Sequence, residues 1–239
     1  MFISKNILDW NFFTENGSGL SFDKEEQIVW RAHEIWRHAI SLISAECSEF
    51  SRGDAISNLK RAINHRLQAL SNAYSFDALP FSNRRQTLEK LQFYGLVRPA
   101  LIKELFEIRN AIEHNDGAPP TVDQCKRYGD FVWYFLKSTD SLLLMHVDDI
   151  QFWSPESDGR LTFLPTFDGC WRIIVQGRLP PQFIHDSCTP DSLELDESCE
   201  QPAYTPPPIY GLWKPTSEQL TRFARTYFGL SGYWWEDHV

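Results

Sequence analysis

The sequence predicts an α+β protein, in which an N-terminal antiparallel bundle of four or five helices is followed by a small β-rich region with a C-terminal helix. Over about residues 21–145, apolar residues recur at helical spacing, and beyond Met145 the pattern changes to short alternating or aromatic segments. With 239 residues and 42% apolar content, the chain can bury a core in both parts. The predicted division is an N-terminal arm over 1–20, the bundle over 21–145 and the α+β region over 146–239.

Four amphipathic helices make up the predicted bundle, and a short fifth helix through Leu88 and Leu91 is compatible with the connection before the third. The third helix ends at His114. Thr121 and Gln124, three residues apart, have the capping-box signature of a helix N-terminus. Because the connections are of modest length, neighbouring helices are expected to pack antiparallel. The four helices are predicted to start at or just after Asp23, Asp54, Val97 and Thr121.

The region beyond Met145 is predicted to hold strands, one long loop and one helix. The segments "VDDIQFW", "RLTFLPTF" and "CWRIIVQGRL" have the alternation and the turn boundaries of strands. Residues 186–208 contain six carboxylates, several prolines and no lysine or arginine, which predicts an exposed acidic loop. A final helix is expected from Thr216, with Gln219 as its capping partner, to about Phe228.

Charge and composition exclude several classes of protein. The net charge of −9 argues against a protein that coats nucleic acid by bulk electrostatics. Residues 1–145 are nearly neutral, with 17 Lys/Arg against 18 Asp/Glu, whereas residues 146–239 hold 6 against 14. Five scattered cysteines without a C-x-x-C pair indicate reduced thiols, and no apolar run is long enough to cross a bilayer. We expect a cytoplasmic protein.

The most informative stretch is "LFEIRNAIEHNDG", at the end of the third helix. Arg109, Asn110 and His114 form the pattern R-N-x-x-x-H, which a chain of this composition matches by chance only about 0.02 times. Looser arginine-to-histidine spacing also occurs from Arg31 to His38 and from Arg178 to His185. Only Arg109 lies near the end of a third bundle helix that is followed by a turn and a capped fourth helix, so its context separates it from the other two matches.

This combination resembles the HEPN superfamily (higher eukaryotes and prokaryotes nucleotide-binding), whose helical domain carries R-x4–6-H, often R-N-x-x-x-H, at this place. The resemblance covers about residues 21–145. It implies a metal-independent endoribonuclease that needs no cofactor, acts on RNA as a homodimer, and serves in toxin, antiviral defence or RNA-processing roles. An inhibitory or antitoxin protein is then a candidate partner. The implied catalytic residues are Arg109, Asn110 and His114.

The chemistry of RNA cleavage is compatible with this motif in a dimer. Asn110 and His114 are four residues apart and share a helix face. Attack by the 2′-hydroxyl needs a base, an acid and a cation against the phosphorane, so two copies of His114 are needed for base and acid, with Arg109 on the phosphate oxygens. In some relatives a tyrosine follows the histidine by two residues, whereas this chain has Asp116 there.

Two other interpretations of the motif stay open. A related fold can keep the motif as a non-catalytic module that binds nucleotide, RNA or another protein. Alternatively, the motif is an ordinary helix end, because histidine is favoured near a helix C-terminus, Glu113 can pair with Arg109, and Asn-Asp-Gly is a common helix stop.

Other polar and aromatic groups have simpler explanations. Arg61 and His65 lie one turn apart on the second helix and fit either a phosphate-binding cleft or a solvated face. His185 and Cys188 lack the paired spacing of structural zinc, so no metal site is expected. The tryptophans of the C-terminal region either stack RNA bases or, more in keeping with its acidity, form its core. They are Trp153, Trp171, Trp213, Trp234 and Trp235.

Overall fold

The computed structural model has a mixed α and β fold, in agreement with the predicted class, and divides into two compact units. The β unit comprises residues 1–18, 77–82 and 146–231, and the helical unit comprises 19–76, 83–145 and 232–239. The residues that the structure describes are 1–16, 22–44, 48–80, 87–97, 100–115, 118–144, 147–167, 169–198 and 208–231.

Six helices and eight strands are assigned in the described residues. The helices are α1 Phe22–Ser44, α2 Glu49–Ala73, α3 Thr87–Phe93, α4 Ala100–Asn115, α5 Val122–Leu144 and α6 Ser217–Ser231. The strands are β1 Phe2–Ser4, β2 Asn11–Asn16, β3 Val147–Trp153, β4 Arg160–Thr166, β5 Arg172–Arg178, β6 Ile184–His185, β7 Ser192–Asp196 and β8 Ile209–Trp213.

In the helical unit, α2 is the central helix, packing against α1, α4 and α5. Its apolar side is fully buried through Ile56, Leu59 and Ile63, because three neighbours cover it. The helices α1 and α5 approach closely where Gly129 meets Ile40, since a Cβ at position 129 would overlap the Ile40 side chain. A glycine is therefore needed at this crossing for packing.

Local hydrogen bonds determine where the helices α2 and α5 begin. Thr121 and Gln124 form the predicted capping box of α5, with backbone N to side-chain oxygen distances of 2.9 and 3.3 Å. The predicted start of the second helix after Asp54 is wrong. The helix α2 begins at Glu49, because the Ser48 hydroxyl accepts a hydrogen bond from the Ser51 amide at 3.1 Å and caps it.

The β unit is built around one antiparallel sheet with the strand order β2-β3-β4-β5-β8-β7-β1-β6. The strands β3, β4 and β5 occupy the three segments predicted from alternation. The expected arrangement of a bundle followed by a small β region is wrong, because the sheet has eight assigned strands and includes β1 and β2 from the N-terminal end. Residues 2–4 pair with β6 and β7, and residues 11–16 pair with β3.

One face of this sheet is covered by α6. The ring of Phe163 stacks on Phe223 at 5.6 Å, and Trp213 meets the same Phe223 edge to face. Trp171 packs against Phe228, so two of the C-terminal tryptophans form core, as the simpler explanation predicts. Trp234 and Trp235 lie outside the described residues.

The remaining predictions for this unit are met in part. The capping box of Thr216 and Gln219 is present at the start of α6, with the Thr216 amide 3.0 Å from the Gln219 side-chain oxygen. The stretch 186–208 is not wholly loop, since it contains β7, and residues 199–207 lie outside the described part. In the described residues, no helix has the length and apolar character needed to span a membrane.

Candidate functional site

The predicted motif lies on α4, which is fixed in place by buried contacts on both sides. Ile102 and Leu105 are fully buried. The Tyr128 hydroxyl of α5 donates a hydrogen bond to Glu104 Oε1 at 2.5 Å, and burial together with this carboxylate raises the Tyr128 pKa. These contacts hold the first half of α4 against its neighbours, so the motif residues extend from a packed helix rather than from a loop.

The three motif residues occupy the last two turns of α4. Arg109 is half-buried and Asn110 is exposed. His114 lies in the final turn of the helix, and its side chain lies outside the described part of the structure. Asp116, which stands where some relatives of the resembled family have a tyrosine, is also outside the described residues. The roles of these residues remain predictions.

A residue that sequence analysis did not single out, Lys60 of α2, contacts this motif directly. Its Nζ donates a hydrogen bond to Asn110 Oδ1 at 3.1 Å and lies 5.3 Å from the centroid of the Phe106 ring. Burial and the neighbouring Arg109 guanidinium lower the Lys60 pKa. Two cationic groups are therefore close enough to repel one another at this site.

Helix geometry explains why Lys60 reaches the motif. An ideal Cβ at Gly53 would lie 3.9 Å from Ile112, so α2 and α4 run close together near the end of α4. Lys60 follows Gly53 by two helical turns, which places it beside Phe106 and Asn110 on the antiparallel neighbour. The backbone of His114 lies one turn beyond Asn110 on α4.

No protein-family model, curated protein or solved structure matches this chain. The functional assignment therefore depends on the residues themselves. Two adjacent cations and an amide, at the end of a helix that also carries a histidine, form a site suited to an oxyanion such as phosphate.

The other residues of α1 and α2 that the sequence offered as site candidates lie on exposed helix surfaces in the structure. Arg61 and His65 are exposed on α2, in agreement with a solvated face. Arg31 forms an exposed salt bridge with Glu34 at 3.0 Å. His38 is exposed. Among the described residues, no group of three or more metal-ligating side chains is close enough to hold a metal ion. The described cysteines, at positions 125, 170 and 188, form no disulfide with one another.

A second charged cluster lies inside the helical unit and was missed by sequence analysis. The Arg66 side chain of α2 is fully buried and donates to Asp140 Oδ1 at 2.7 Å and to the Leu136 carbonyl at 3.0 Å. His33 of α1 contacts the same carboxylate at 3.0 Å, and Lys137 lies 3.2 Å from its other oxygen. Lys137 is exposed, and we call the other three groups, Arg66, Asp140 and His33, the buried cluster.

The buried cluster has the properties of a structural ion pair. Burial on its own raises the pKa of Asp140, but hydrogen bonds from His33 and Arg66, with the charge of Arg66, outweigh it and lower that pKa. The burial of Arg66 was predictable from its sequence position. It follows Ile63 by three residues and precedes Leu70 by four, so it lies on the apolar side of α2. An arginine on an apolar stripe indicates a buried partner.

Proposed function

We propose that the helical unit is a HEPN-type, metal-independent endoribonuclease domain that acts as a homodimer. The observation that carries the proposal is the R-N-x-x-x-H motif at the end of α4, with Lys60 of α2 bound to its asparagine. The packing of α1, α2, α4 and α5 into one unit supports the assignment of these helices as the HEPN-like bundle.

The proposed reaction is cleavage of RNA by its own 2′-hydroxyl. One His114 imidazole takes the proton of the 2′-hydroxyl as its oxygen attacks phosphorus. The bond from phosphorus to the 5′-oxygen then breaks, and a protonated His114 of the second copy supplies the proton to the leaving oxygen. The products are a 2′,3′-cyclic phosphate and a free 5′-hydroxyl, and the two imidazoles exchange protons with water before the next cycle.

The cations of the site have a separate role in this scheme. The Arg109 guanidinium holds two phosphate oxygens, and Lys60 adds a point charge as negative charge builds on the phosphorane. A phosphate bound beside both cations offsets the repulsion between Lys60 and Arg109 that, with burial, lowers the Lys60 pKa. Asn110, held by Lys60, orients the phosphate or the imidazole.

The test is incubation of purified protein with total RNA in EDTA, comparing wild type with His114→Ala and Arg109→Ala. We expect each variant to lose roughly 10²-fold or more of the cleavage rate while remaining folded. Lys103→Ala is the matched control, since Lys103 is exposed on the same helix two turns before the motif. Equal cleavage by wild type and both motif variants contradicts the proposal.

The dimer is tested by mixing chains. Heterodimers of wild type and His114→Ala are expected to have well under half of the wild-type rate, because the cleft then lacks either its acid or its base. Activity of a monomer at micromolar concentration, measured by sedimentation and RNA cleavage in the same buffer, contradicts a shared cleft.

A non-catalytic role is the second candidate, and the adjacency of Lys60 and Arg109 favours it equally, because two cations bind nucleotide or RNA whether or not histidine turns it over. In that case wild type binds RNA without cleaving it. Arg109→Ala then weakens binding, whereas His114→Ala leaves it nearly unchanged, and an inhibitory or antitoxin partner is no longer implied.

A further inference from the structure

The surroundings of Lys60 differ from those of the lysines that form salt bridges. Within the described residues, each of those lysines pairs with an aspartate, which favours the charged ammonium; they are Lys5, Lys137 and Lys214. No described carboxylate pairs with Lys60. Its Nζ donates instead to the uncharged side-chain oxygen of Asn110 at 3.1 Å and lies 5.3 Å from the centroid of the Phe106 ring.

The charges around Lys60 favour its uncharged amine. The charged side chains next to it on α2 or on the facing turn of α4 are Arg61, Glu107 and Arg109. Of these, only the Arg109 guanidinium shifts the Lys60 pKa, which burial and this cation both lower. At neutral pH, a larger fraction of Lys60 is therefore uncharged than of a solvent-exposed lysine, and the uncharged amine is the nucleophilic form.

The geometry around Nζ leaves room for a small reagent. An uncharged amine still has an N–H group for the Asn110 oxygen, and its lone pair then points away from that oxygen. Lys60 is half-buried, whereas Lys90 of α3 is buried and donates to the Phe76 carbonyl at 3.0 Å. Lys60 thus combines partial desolvation with access from solvent.

We propose that Lys60 is a modification site that takes an acyl group from an acyl phosphate. In such a donor, one oxygen joins the carbonyl carbon to the phosphate. A donor whose phosphate lies beside the Arg109 guanidinium therefore brings its carbonyl carbon close to the Lys60 amine. An acyl donor without charge lacks this attraction.

The proposed step forms one bond and breaks one. The lone pair of Lys60 Nζ attacks the carbonyl carbon, and the bond from that carbon to the bridging oxygen breaks. Inorganic phosphate leaves with the electron pair, and the surplus proton on Nζ passes to phosphate or to water. The product is a neutral amide, so the side chain loses its charge.

Acylation has a consequence for the site on α4. Under the proposed function, on which this consequence rests, acylated protein retains Arg109 but lacks the Lys60 cation at the phosphate. Its cleavage or binding of RNA is then expected to fall as it does in Lys60→Gln, which also replaces the ammonium with an amide. The modification therefore lowers the activity of the motif where acyl phosphates accumulate.

The experiment incubates the purified full chain with acetyl phosphate at neutral pH and follows acetylation of each lysine by mass spectrometry. We expect Lys60 to react about threefold or more faster than Lys103 and Lys126, although these two are exposed. Lys214 is expected to react more slowly than Lys103, because Asp196 raises its pKa. With an uncharged N-hydroxysuccinimide ester as donor, the preference for Lys60 is expected to shrink.

Two variants test the contribution of Arg109. Arg109→Ala is expected to slow acetylation of Lys60 and to leave Lys103 unchanged, with circular dichroism confirming the fold. The matched control is Arg37→Ala, which removes an exposed arginine from α1 and is expected to keep the wild-type order of rates.

Four results overturn the proposal: a Lys60 rate no higher than that of Lys103 in the wild type, an equal preference for Lys60 with both donors, the same preference in urea-unfolded protein, or a wild-type Lys60 rate in folded Arg109→Ala. The first three need no variant. Because mass spectrometry detects the amide itself, selective acetylation of Lys60 supports this site even if the protein does not cleave RNA, and its absence leaves the proposed nuclease untouched.

Discussion

Two arginines of the helical unit, Arg66 and Arg109, lie in opposite surroundings. Arg66 is fully buried and contacts the Asp140 carboxylate at 2.7 Å. Arg109 is half-buried and lies near another cation, Lys60, whose pKa it helps to lower. Arg66 is paired with a carboxylate inside the protein, and removing its charge leaves that carboxylate without its guanidinium partner, whereas Arg109 lies beside a second cation at the proposed phosphate site. The comparison separates an arginine bound inside the core from the arginine that the proposed function uses.

The largest expected effect is on stability, from Arg66→Ala. This change leaves Asp140 partly buried without its main partner, and breaking such a buried pair costs about 3 kcal/mol of unfolding free energy or more. Urea unfolding followed by circular dichroism measures it. Arg109→Ala is the matched comparison and is expected to change that free energy by only about 0.5 kcal/mol. Similar losses in the two variants would remove the distinction between the two arginines.

A smaller effect is expected on the proposed function, from Lys60→Ala. Loss of the hydrogen bond to Asn110 and of one cation is expected to lower RNA cleavage about tenfold, or RNA affinity if the site does not turn over. Arg61→Ala is the control, since Arg61 is the next residue on α2 and is exposed. If both variants behave like wild type, Lys60 acts only as a packing contact between α2 and α4.

The smallest expected effect is on how the free energy of unfolding depends on pH. Because the Asp140 pKa is lowered in the folded protein, the ionised carboxylate contributes stability above the unfolded pKa of about 4, and this contribution is lost as the pH falls through the lower folded value. Asp140→Asn is expected to be less stable than wild type at pH 7 and to lose less stability on acidification below pH 4. Urea unfolding at several pH values measures both slopes. If the unfolding free energies of the two proteins fall equally with pH, the Asp140 carboxylate does not contribute to the loss of stability in acid.

Periodicity predicts much of the fold because it reports which side of each element is buried. The stripes of α1, α4 and α5, the alternation of β3 to β5 and two capping boxes are all local signals, and the elements lie close to where these signals place them. The pairing of residues 11–16 with β3 is not local, since it joins segments far apart in the sequence. No pattern within a short window specifies such a partner, so the sequence predicts only an N-terminal arm over 1–20.

Only those residues of the candidate site that lie on α4 could be identified from the sequence. Arg109, Asn110 and His114 are close in sequence, and their spacing identifies them, although their roles stay predictions. Lys60 joins them from another helix, and its placement depends on how closely α2 and α4 approach at Gly53. That approach is a property of packing, which sequence spacing on α2 alone does not determine.

The path of the chain through the sheet has a consequence for folding kinetics. Strands β2 and β3 are hydrogen-bonded neighbours, yet residues 17–146 lie between them, so their pairing closes a very long loop and carries a large entropic cost. The contact between His33 and Asp140 joins the middle of α1 to the last turns of α5 and shortens the effective length of that loop. The helical unit is therefore expected to form before β2 joins β3, and a chain with a disrupted buried cluster is expected to refold with delayed protection of the β2 and β3 amides from hydrogen exchange.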